Sequence, residues 1–286
     1  MNLLEKLFKL KENRTDVRTE VIAGVTTFMT MAYIIFVNPD ILSAAGMPFG
    51  PVMTATVVAA GITTILAGLL ANYPYALASG MGLNAFFAFT VAAKAGWQAA
   101  LGVVFLEGII FLILSLAGGI NVIDAAIPPT LKRAVGVGIG LFIALIGVSN
   151  AGLIQASPAT LITRGDFTQK GTLLAIIGLL VIGILMSLKA RGSMLIGILI
   201  TTLIGIPMGV TTITGSIIGK PESLAPLLFK MDIKGALSLG FMTIFSFWFV
   251  DVFDTIGTLM GTASRANMLD EKGQLPKIKE AMTADA

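Results

Sequence analysis

Long apolar stretches, separated by short groups of charged residues, Pro and Gly, make up most of the chain. A helix that crosses a bilayer needs about 20 mainly apolar residues. Windows of that length predict eight membrane-spanning helices, at residues 21–37, 52–72, 77–93, 98–120, 134–153, 171–188, 192–209 and 236–260. The pattern therefore predicts an all-α polytopic membrane protein whose third span is short and broken by glycine.

The composition supports a membrane protein and excludes several other classes. Of the 286 residues, 56% are hydrophobic and 12% are charged, whereas a soluble domain is about 25% charged. The net charge of +3 is spread along the chain, so we expect no nucleic-acid partner. Because the chain contains no His and no Cys, zinc and Cys–His chemistry lack their ligands. We therefore expect no metal, no cofactor and no enzymatic activity.

The distribution of positive charge predicts the orientation of the chain in the membrane. Eight spans place thirteen Lys and Arg residues on the side of the termini and six on the other side, out of nineteen in total. Since positive residues favour the cytoplasmic side, we expect a multi-pass protein of the cell membrane, embedded in lipid, with both termini cytoplasmic. The loops are predicted to be an amphipathic N-terminus (1–20), an extracellular loop (210–235) and a cytoplasmic tail (261–286).

Two acids fall inside the apolar eighth span. At helical periodicity Asp251, Asp254, Thr255 and Thr258 share one face. An ionisable group in mid-membrane costs roughly 2.5–3.5 kcal/mol, which makes it a functional candidate. Two carboxylates one turn apart also repel each other, which favours uptake of a proton by one of them. The pair therefore suits a proton-coupled carrier, and the alternative is a capping or packing pair near the cytoplasmic end of the helix.

A third acid, Glu107, stands alone in the fourth span among apolar residues. It has two interpretations: a member of a proton path that faces the bundle, or a structural anchor bonded to a hydroxyl of a neighbouring span. Because no second polar group lies near it on its helix face, we favour the structural anchor.

The third span contains Ser79, Gly80, Gly82 and Asn84, which weaken a helix. Short hydrophobic segments interrupted by Gly or Pro are typical of transporter binding sites, because non-helical backbone there can face the substrate. Asn84 carries both a donor and an acceptor, which suits the edge of a heterocycle. The alternative is a glycine-rich helix that serves only for close packing.

Three motifs carry a resemblance to a known family. They are residues 20–39 (EVIAGVTTFMTMAYIIFVNP), 79–88 (SGMGLNAFFA) and 251–261 (DVFDTIGTLMG). With them the chain resembles the adenine/guanine/hypoxanthine permeases, the AzgA-like branch of the nucleobase–cation symporters. The resemblance extends from about Arg18 to Gly261, which is most of the chain.

The resemblance implies an inverted-repeat (7+7) transporter fold of fourteen spans, in which the third and tenth spans are part helix and part short strand. It also implies proton-coupled uptake of a purine nucleobase, with H⁺ or Na⁺ as the coupling ion. Carried over by position, Asn84 would contact the base, Ala85 and Phe86 would offer backbone, and Asp251 would accept purine N–H groups.

Other site residues follow from the same resemblance and the helix face. Asp254 would support Asp251 or assist in proton coupling, and Thr258 lies on the same face as a further substrate-binding candidate. Glu107 is the third candidate for proton coupling.

The chain departs from the family by stopping after the eighth span. Only the first repeat (21–209) and the eighth span (236–260) are present. The ninth to fourteenth spans are missing, and with them the acid of the tenth span that completes the family's site. We therefore expect a fragment, a truncated gene product, or one piece completed by another chain, either a second copy or a complementing C-terminal fragment.

Two other functions stay open on the sequence alone. One is an anion transporter of the same inverted-repeat architecture, although such a carrier should direct basic groups or helix N-termini at its substrate and the mid-membrane charges here are acidic. The other is a membrane scaffold that does not transport, which the missing spans would favour.

Overall fold

The computed structural model describes residues 3–13, 15–119, 128–212, 219–270 and 274–286. In chain order its elements are α1 (Leu3–Phe8), α2 (Val17–Met31), α3 (Ile34–Ser43), α4 (Phe49–Leu70), α5 (Met81–Phe86), a π-helix (Phe87–Ala92), α6 (Ala93–Ala95), α7 (Trp97–Leu116), α8 (Pro129–Asn150), β1 (Ile154–Ser157), β2 (Leu161–Arg164), α9 (Lys170–Ser187), α10 (Ser193–Gly205), α11 (Ile233–Ser238), α12 (Phe241–Arg265) and α13 (Ile278–Asp285).

All eight predicted spans coincide with helices, but they differ in length. Within the described residues, five helical segments are long and apolar enough to cross a membrane: Val17–Ser43, Phe49–Leu70, Trp97–Leu116, Lys170–Ser187 and Phe241–Ser264. The third, fifth and seventh predicted spans correspond to the shorter apolar helices Met81–Ala95, Gly140–Asn150 and Ser193–Gly205. The described chain is therefore a helical, polytopic membrane protein.

The chain divides into two compact units. The first comprises Met1–Asp16, Ile35–Gly140 and Pro221–Ala286, and the second comprises Val17–Ile34 and Leu141–Lys220. In the second unit α9 packs against α10. A Cβ on Gly178 would lie 2.9 Å from the Thr201 side chain, so the glycine permits the close approach of the two helices.

One β-hairpin lies in the second unit, where an all-α protein was predicted. Strands β1 and β2 are antiparallel, from the pair Ile154↔Arg164 to the pair Ser157↔Leu161. Each strand is only four residues long, so its β-branched residues are too few to stand out from a loop in a hydropathy window.

The first unit is built around α7, which contacts the π-helix, α11, α12 and α13. Its core cluster includes Phe111, Val252, Ile256 and Met282, each no more than 1% exposed. Helix α11 lies so close to α7 that a Cβ on Gly102 would lie 2.4 Å from the backbone oxygen of Asp232. Glycine is therefore required there for the backbones to approach.

Helix α13 lies within the segment predicted to be a cytoplasmic tail, residues 261–286. It packs against α4 and α7, and Ala281, Met282 and Ala284 are buried. The helix is short and near-neutral in mean hydropathy, so a search for membrane-length apolar windows passes over it. Its buried face nevertheless places residues 281–285 next to the spans.

The predicted break in the third span lies at residues 72–80, which form neither helix nor strand. The Thr64 hydroxyl accepts a hydrogen bond from the Leu77 N–H at 2.9 Å and donates one to the Leu77 carbonyl at 3.2 Å. This side chain thus satisfies backbone groups that have no helical partner, as a membrane interior requires. The short strand implied by the resemblance is absent from this segment, which forms no ladder with another described segment.

Candidate functional site

A cavity of about 520 Å³ lies within the first unit, between α5, α7, α12 and α13. Its size is that of small-molecule sites, which span about 300–1,000 Å³. Apolar side chains such as Leu83, Phe87 and Phe247 form most of the wall. The polar residues that line it are Ser79, Asn84, Glu107, Asp251 and Asp285.

Helix α12 places one residue of its polar face in the cavity wall. Asp251 lines the cavity directly. Asp254 lies against the third-span segment, since a Cβ on Gly80 would lie 3.0 Å from Asp254 Oδ2. Thr258 is exposed and does not line the cavity. The helical period accounts for this order, because residue 258 lies two turns beyond Asp251.

Glu107 lies on α7 with its side chain 5% exposed, and it lines the same cavity as Asp251. Its Oε2 atom is buried and has no hydrogen-bond partner among the described residues. The favoured interpretation, an anchor bonded to a hydroxyl of a neighbouring span, therefore has no such bond to support it. The fourth span turns this acid toward α12, and hydropathy alone carries no information about that rotation.

Asn84 lines the cavity from α5 and is held by two hydrogen bonds. Its Nδ2 group donates to Asn38 Oδ1 at 2.6 Å and to Ser79 Oγ at 3.0 Å. Ala85 and Phe86 do not line the cavity. Both lie within α5, where Ala85 is buried and the Phe86 ring packs on Phe247 with 5.0 Å between centroids. Their backbone is helical, in contrast to the open backbone that the resemblance implies.

Two residues at this site were not predicted. Asn38 belongs to the first motif, but its contact with Asn84 joins positions 46 residues apart. Asp285 lines the cavity from α13, and its carboxylate accepts a hydrogen bond from the Thr255 hydroxyl. The only signal for Asp285 was its acidic side chain in a segment that resembled a polar tail.

The electrostatics of the cavity are acidic. Among the described residues no Lys or Arg forms an ion pair with Glu107, Asp251 or Asp285, and the Lys9–Glu12 ion pair is exposed. Burial raises the pKa of the Asp285 carboxyl, and the hydrogen bond from Thr255 opposes that change. No group of three or more acids in the described chain is arranged to hold a metal ion. The cavity therefore suits a ligand that donates hydrogen bonds, or a proton.

Comparison with known proteins identifies relatives over almost the whole chain. The Permease family (Xan_ur_permease) matches residues 18–286. A putative permease of Methanocaldococcus jannaschii is 49% identical over 100% of this chain and 66% of its own length. The adenine permease AdeP of Escherichia coli K12 is 43% identical over 99% of this chain and 64% of its own length. The guanine/hypoxanthine permease PbuG of Bacillus subtilis is 43% identical over 99% of this chain and 67% of its own length.

These matches confirm the resemblance that was based on the three motifs. The similar proteins are named as permeases, a class of transporters and not of enzymes. The chain spans about two thirds of the length of these three relatives, from 64% to 67%.

Proposed function

The chain belongs to the Permease family, and from this premise we propose that it forms the larger part of a purine nucleobase uptake permease. The substrate class is that of its relatives, which are named for adenine and for guanine and hypoxanthine. The proposed location is the cell membrane, with both termini in the cytoplasm, as the excess of positive residues on that side favours.

One observation carries this proposal: Asn84 of the third-span motif and Asp251 of the eighth-span motif line the same cavity. The two residues are far apart in the chain, and each belongs to a different motif. A carboxylate paired with N–H donors is a strong and directional contact. An anion would instead meet acidic side chains with no basic partner, which disfavours the anion-transporter alternative.

In this proposal the purine occupies the cavity between α5 and α12. Asp251 accepts purine N–H groups, Asn84 contacts the base, and Asp254 supports the site from beside Gly80. Phe86 contributes by packing α5 on Phe247 of α12, and Ala85 is a buried residue of the same helix. Thr258 lies on the same helix face as Asp251 but outside the cavity wall.

Coupling to an ion is the second part of the proposal. Glu107 and Asp251 line one cavity without a basic partner among the described residues, and a proton taken up by one of them would lower the cost of keeping both in the membrane. We assign proton coupling to Glu107, Asp251 and Asp254. Na⁺ is the alternative coupling ion, because the same acids would attract any small cation.

The proposed architecture is the inverted-repeat (7+7) fold of the family. Residues 21–209 would form the first repeat, 210–235 an extracellular loop, 236–260 the eighth span and 261–286 a cytoplasmic segment. The remaining third of the relatives' length would supply the ninth to fourteenth spans. A second copy of the chain or a complementing C-terminal fragment could provide the same contacts.

Binding of radiolabelled purines tests the proposal. The purified 286-residue chain is incubated with hypoxanthine, guanine or adenine, with uracil as the control. A second protein joins the chain to the C-terminal third of the Bacillus subtilis permease. We expect saturable binding of a purine, and not of uracil, by at least the completed protein.

Comparison of the chain alone with the completed protein distinguishes three outcomes. Binding by the chain alone would mean that the described cavity suffices for a site. Binding only after completion would mean that the missing third supplies necessary contacts. Absence of purine binding by both folded proteins would contradict the proposed function.

A further inference from the structure

A row of hydrogen bonds runs behind the cavity wall from α4 to Asn84. The Thr56 hydroxyl donates to the Val52 carbonyl at 2.8 Å. Asn38 Nδ2 donates to Thr56 Oγ1 at 2.8 Å. Asn84 Nδ2 then donates to Asn38 Oδ1 at 2.6 Å and to Ser79 Oγ at 3.0 Å.

The direction of each bond follows from the first. A backbone carbonyl such as that of Val52 only accepts, so the single Thr56 hydrogen is committed to it. The Thr56 oxygen therefore accepts, which requires the NH₂ group of Asn38 to face it. The Asn38 oxygen must then face Asn84, and only the NH₂ group of Asn84 can bond to it.

This row of hydrogen bonds, here called the relay, joins Val52, Thr56, Asn38, Asn84 and Ser79. It is protected from water at Asn38 and Thr56. Asn38 is 4% exposed and Thr56 is 7% exposed, and neither residue lines the cavity. A buried amide that rotated would exchange each of these bonds for a contact between like groups, at the cost of unsatisfied polar atoms. The orientation of Asn84 is therefore set from outside the cavity.

We propose that Asn38 and Thr56 are positioning residues that fix the Asn84 carboxamide with its oxygen as the group available to a ligand. Both Asn84 N–H hydrogens are used within the protein, so Asn84 contributes an acceptor and no donor. The Ser79 oxygen accepts from Asn84, and among the described residues its own hydrogen is donated to no other group. Ser79 thus becomes a second ligand contact, as a donor beside that acceptor.

The relay defines what this wall recognises. An acceptor at Asn84 and a donor at Ser79 suit a heterocycle edge on which an N–H group lies next to a ring nitrogen or a carbonyl oxygen. A ligand methylated at that nitrogen would leave the Asn84 oxygen unpaired. This inference rests on the proposed function for the identity of the ligand, but the relay itself is independent of it.

Side-chain hydrogen exchange tests the relay without a ligand. The chain is labelled with ¹⁵N-asparagine, and the Asn84 NH₂ signals are assigned by their loss in Asn84→Ala. Thr56→Val removes the hydroxyl that sets the direction, and exchange of the Asn84 hydrogens should accelerate by about tenfold, as expected for the loss of about one hydrogen bond. Thr56→Ser should restore slow exchange.

The matched control is Thr63→Val, which makes the same change in the same helix. The Thr63 hydroxyl bonds only to carbonyls of its own helix, those of Ala59 and Ala60. Asn84 exchange should be unchanged in this variant. Equal exchange rates in Thr56→Val and the parent chain, with both proteins folded, would overturn the proposal.

Binding of methylated ligands separates this inference from the proposed function. Hypoxanthine is compared with its 1-, 7- and 9-methyl derivatives in whichever protein binds purine. The relay predicts that the preference for the unmethylated base at one ring nitrogen falls in Thr56→Val and returns in Thr56→Ser. If Asn84→Ala lowers that preference and Thr56→Val does not, the positioning role is wrong. If Asn84→Ala changes no preference, the proposed contact between Asn84 and the base is wrong, whatever the exchange rates show.

Discussion

The two polar walls of the cavity are built in opposite ways. On the α5 side, Asn84 has partners in Asn38 and Ser79, and the row continues to Thr56 and a backbone carbonyl. On the α7 side, Glu107 is 5% exposed and has an oxygen with no partner in the described chain. One wall holds its amide through hydrogen bonds within the protein, and the other keeps an acid oxygen with no partner in the described chain.

The difference separates positioning from chemistry. Side chains joined by several hydrogen bonds are fixed in orientation, and each member of such a network supports its neighbours. A buried acid without a partner lowers stability, which makes Glu107 a candidate for a functional role. We expect variants of the first wall to change geometry and stability, and variants of the second to change binding and coupling.

The largest expected effect is that of Asp251→Asn on purine binding. A hydrogen bond to a charged group contributes about 1.5–3 kcal/mol, so the amide should lower purine affinity by about 10- to 150-fold. Equilibrium binding of labelled hypoxanthine measures it. Asp166→Asn is the control, because Asp166 lies on an exposed turn where it bonds to Thr168. Equal affinities in the two variants would remove Asp251 from the site.

The sharpest test of the comparison pairs Asn38→Leu with Glu107→Leu. Loss of Asn38 removes one hydrogen-bond partner from Asn84 and one from Thr56, which should cost about 1–3 kcal/mol of unfolding free energy. Loss of Glu107 removes an oxygen that had no partner, so stability should stay unchanged or rise. Thermal unfolding in detergent measures the change in stability of each variant relative to the parent chain. A larger loss of stability in Glu107→Leu would reverse the assignment of the two walls.

Thr64→Val tests the non-helical segment at residues 72–80, which precedes α5. Removal of the hydroxyl that bonds both the N–H and the carbonyl of Leu77 should lower the unfolding free energy by about 1–2 kcal/mol. Amide hydrogen exchange at residues 76–79 should rise locally. Thr63→Val serves again as the control, and equal exchange in the two variants would contradict the role given to Thr64.

The smallest expected effect is a loss of folding stability at alkaline pH. The Tyr73 hydroxyl donates to the Pro276 carbonyl, and burial, with smaller contributions from Tyr75 and Glu280, raises the Tyr73 pKa to about 12. The neutral phenol therefore stabilises the fold fully below pH of about 10, the usual tyrosine value. That contribution should disappear as the pH rises from about 10 to about 12.

Tyr73→Phe isolates this contribution. Thermal midpoints of the parent chain and the variant are compared between pH 8 and pH 12, a range of about four units around the usual tyrosine pKa. The parent should be the more stable protein at the lower end, and the difference should narrow toward the upper end. A constant difference across the range would exclude Tyr73 as its source.

Much of the architecture follows from the sequence. The eight apolar windows coincide with helices because burial in a bilayer depends on summed apolar length, a local property of the chain. The break in the third span also follows from local composition. The β-hairpin and α13 were missed because their strands and helix are too short for the windows that detect spans.

The candidate site was also predicted in part from the sequence. Asn84, Glu107 and Asp251 were selected from the sequence because polar groups in apolar spans are costly wherever the spans pack. The tertiary structure alone decided that they share a cavity and that Ala85, Phe86 and Thr258 do not line it. It also introduced Asp285, from a segment predicted to be a tail.

The sequence determined which residues have a polar group in the membrane, and the tertiary structure decided which groups meet. The bonds of the relay join residues 18 and 46 positions apart, and their direction depends on a carbonyl in a neighbouring helix turn. Hydropathy is a sum over neighbours in the chain, whereas a hydrogen bond requires a donor and an acceptor at about 3 Å in the right orientation. Only the packing of the helices provides that distance and orientation.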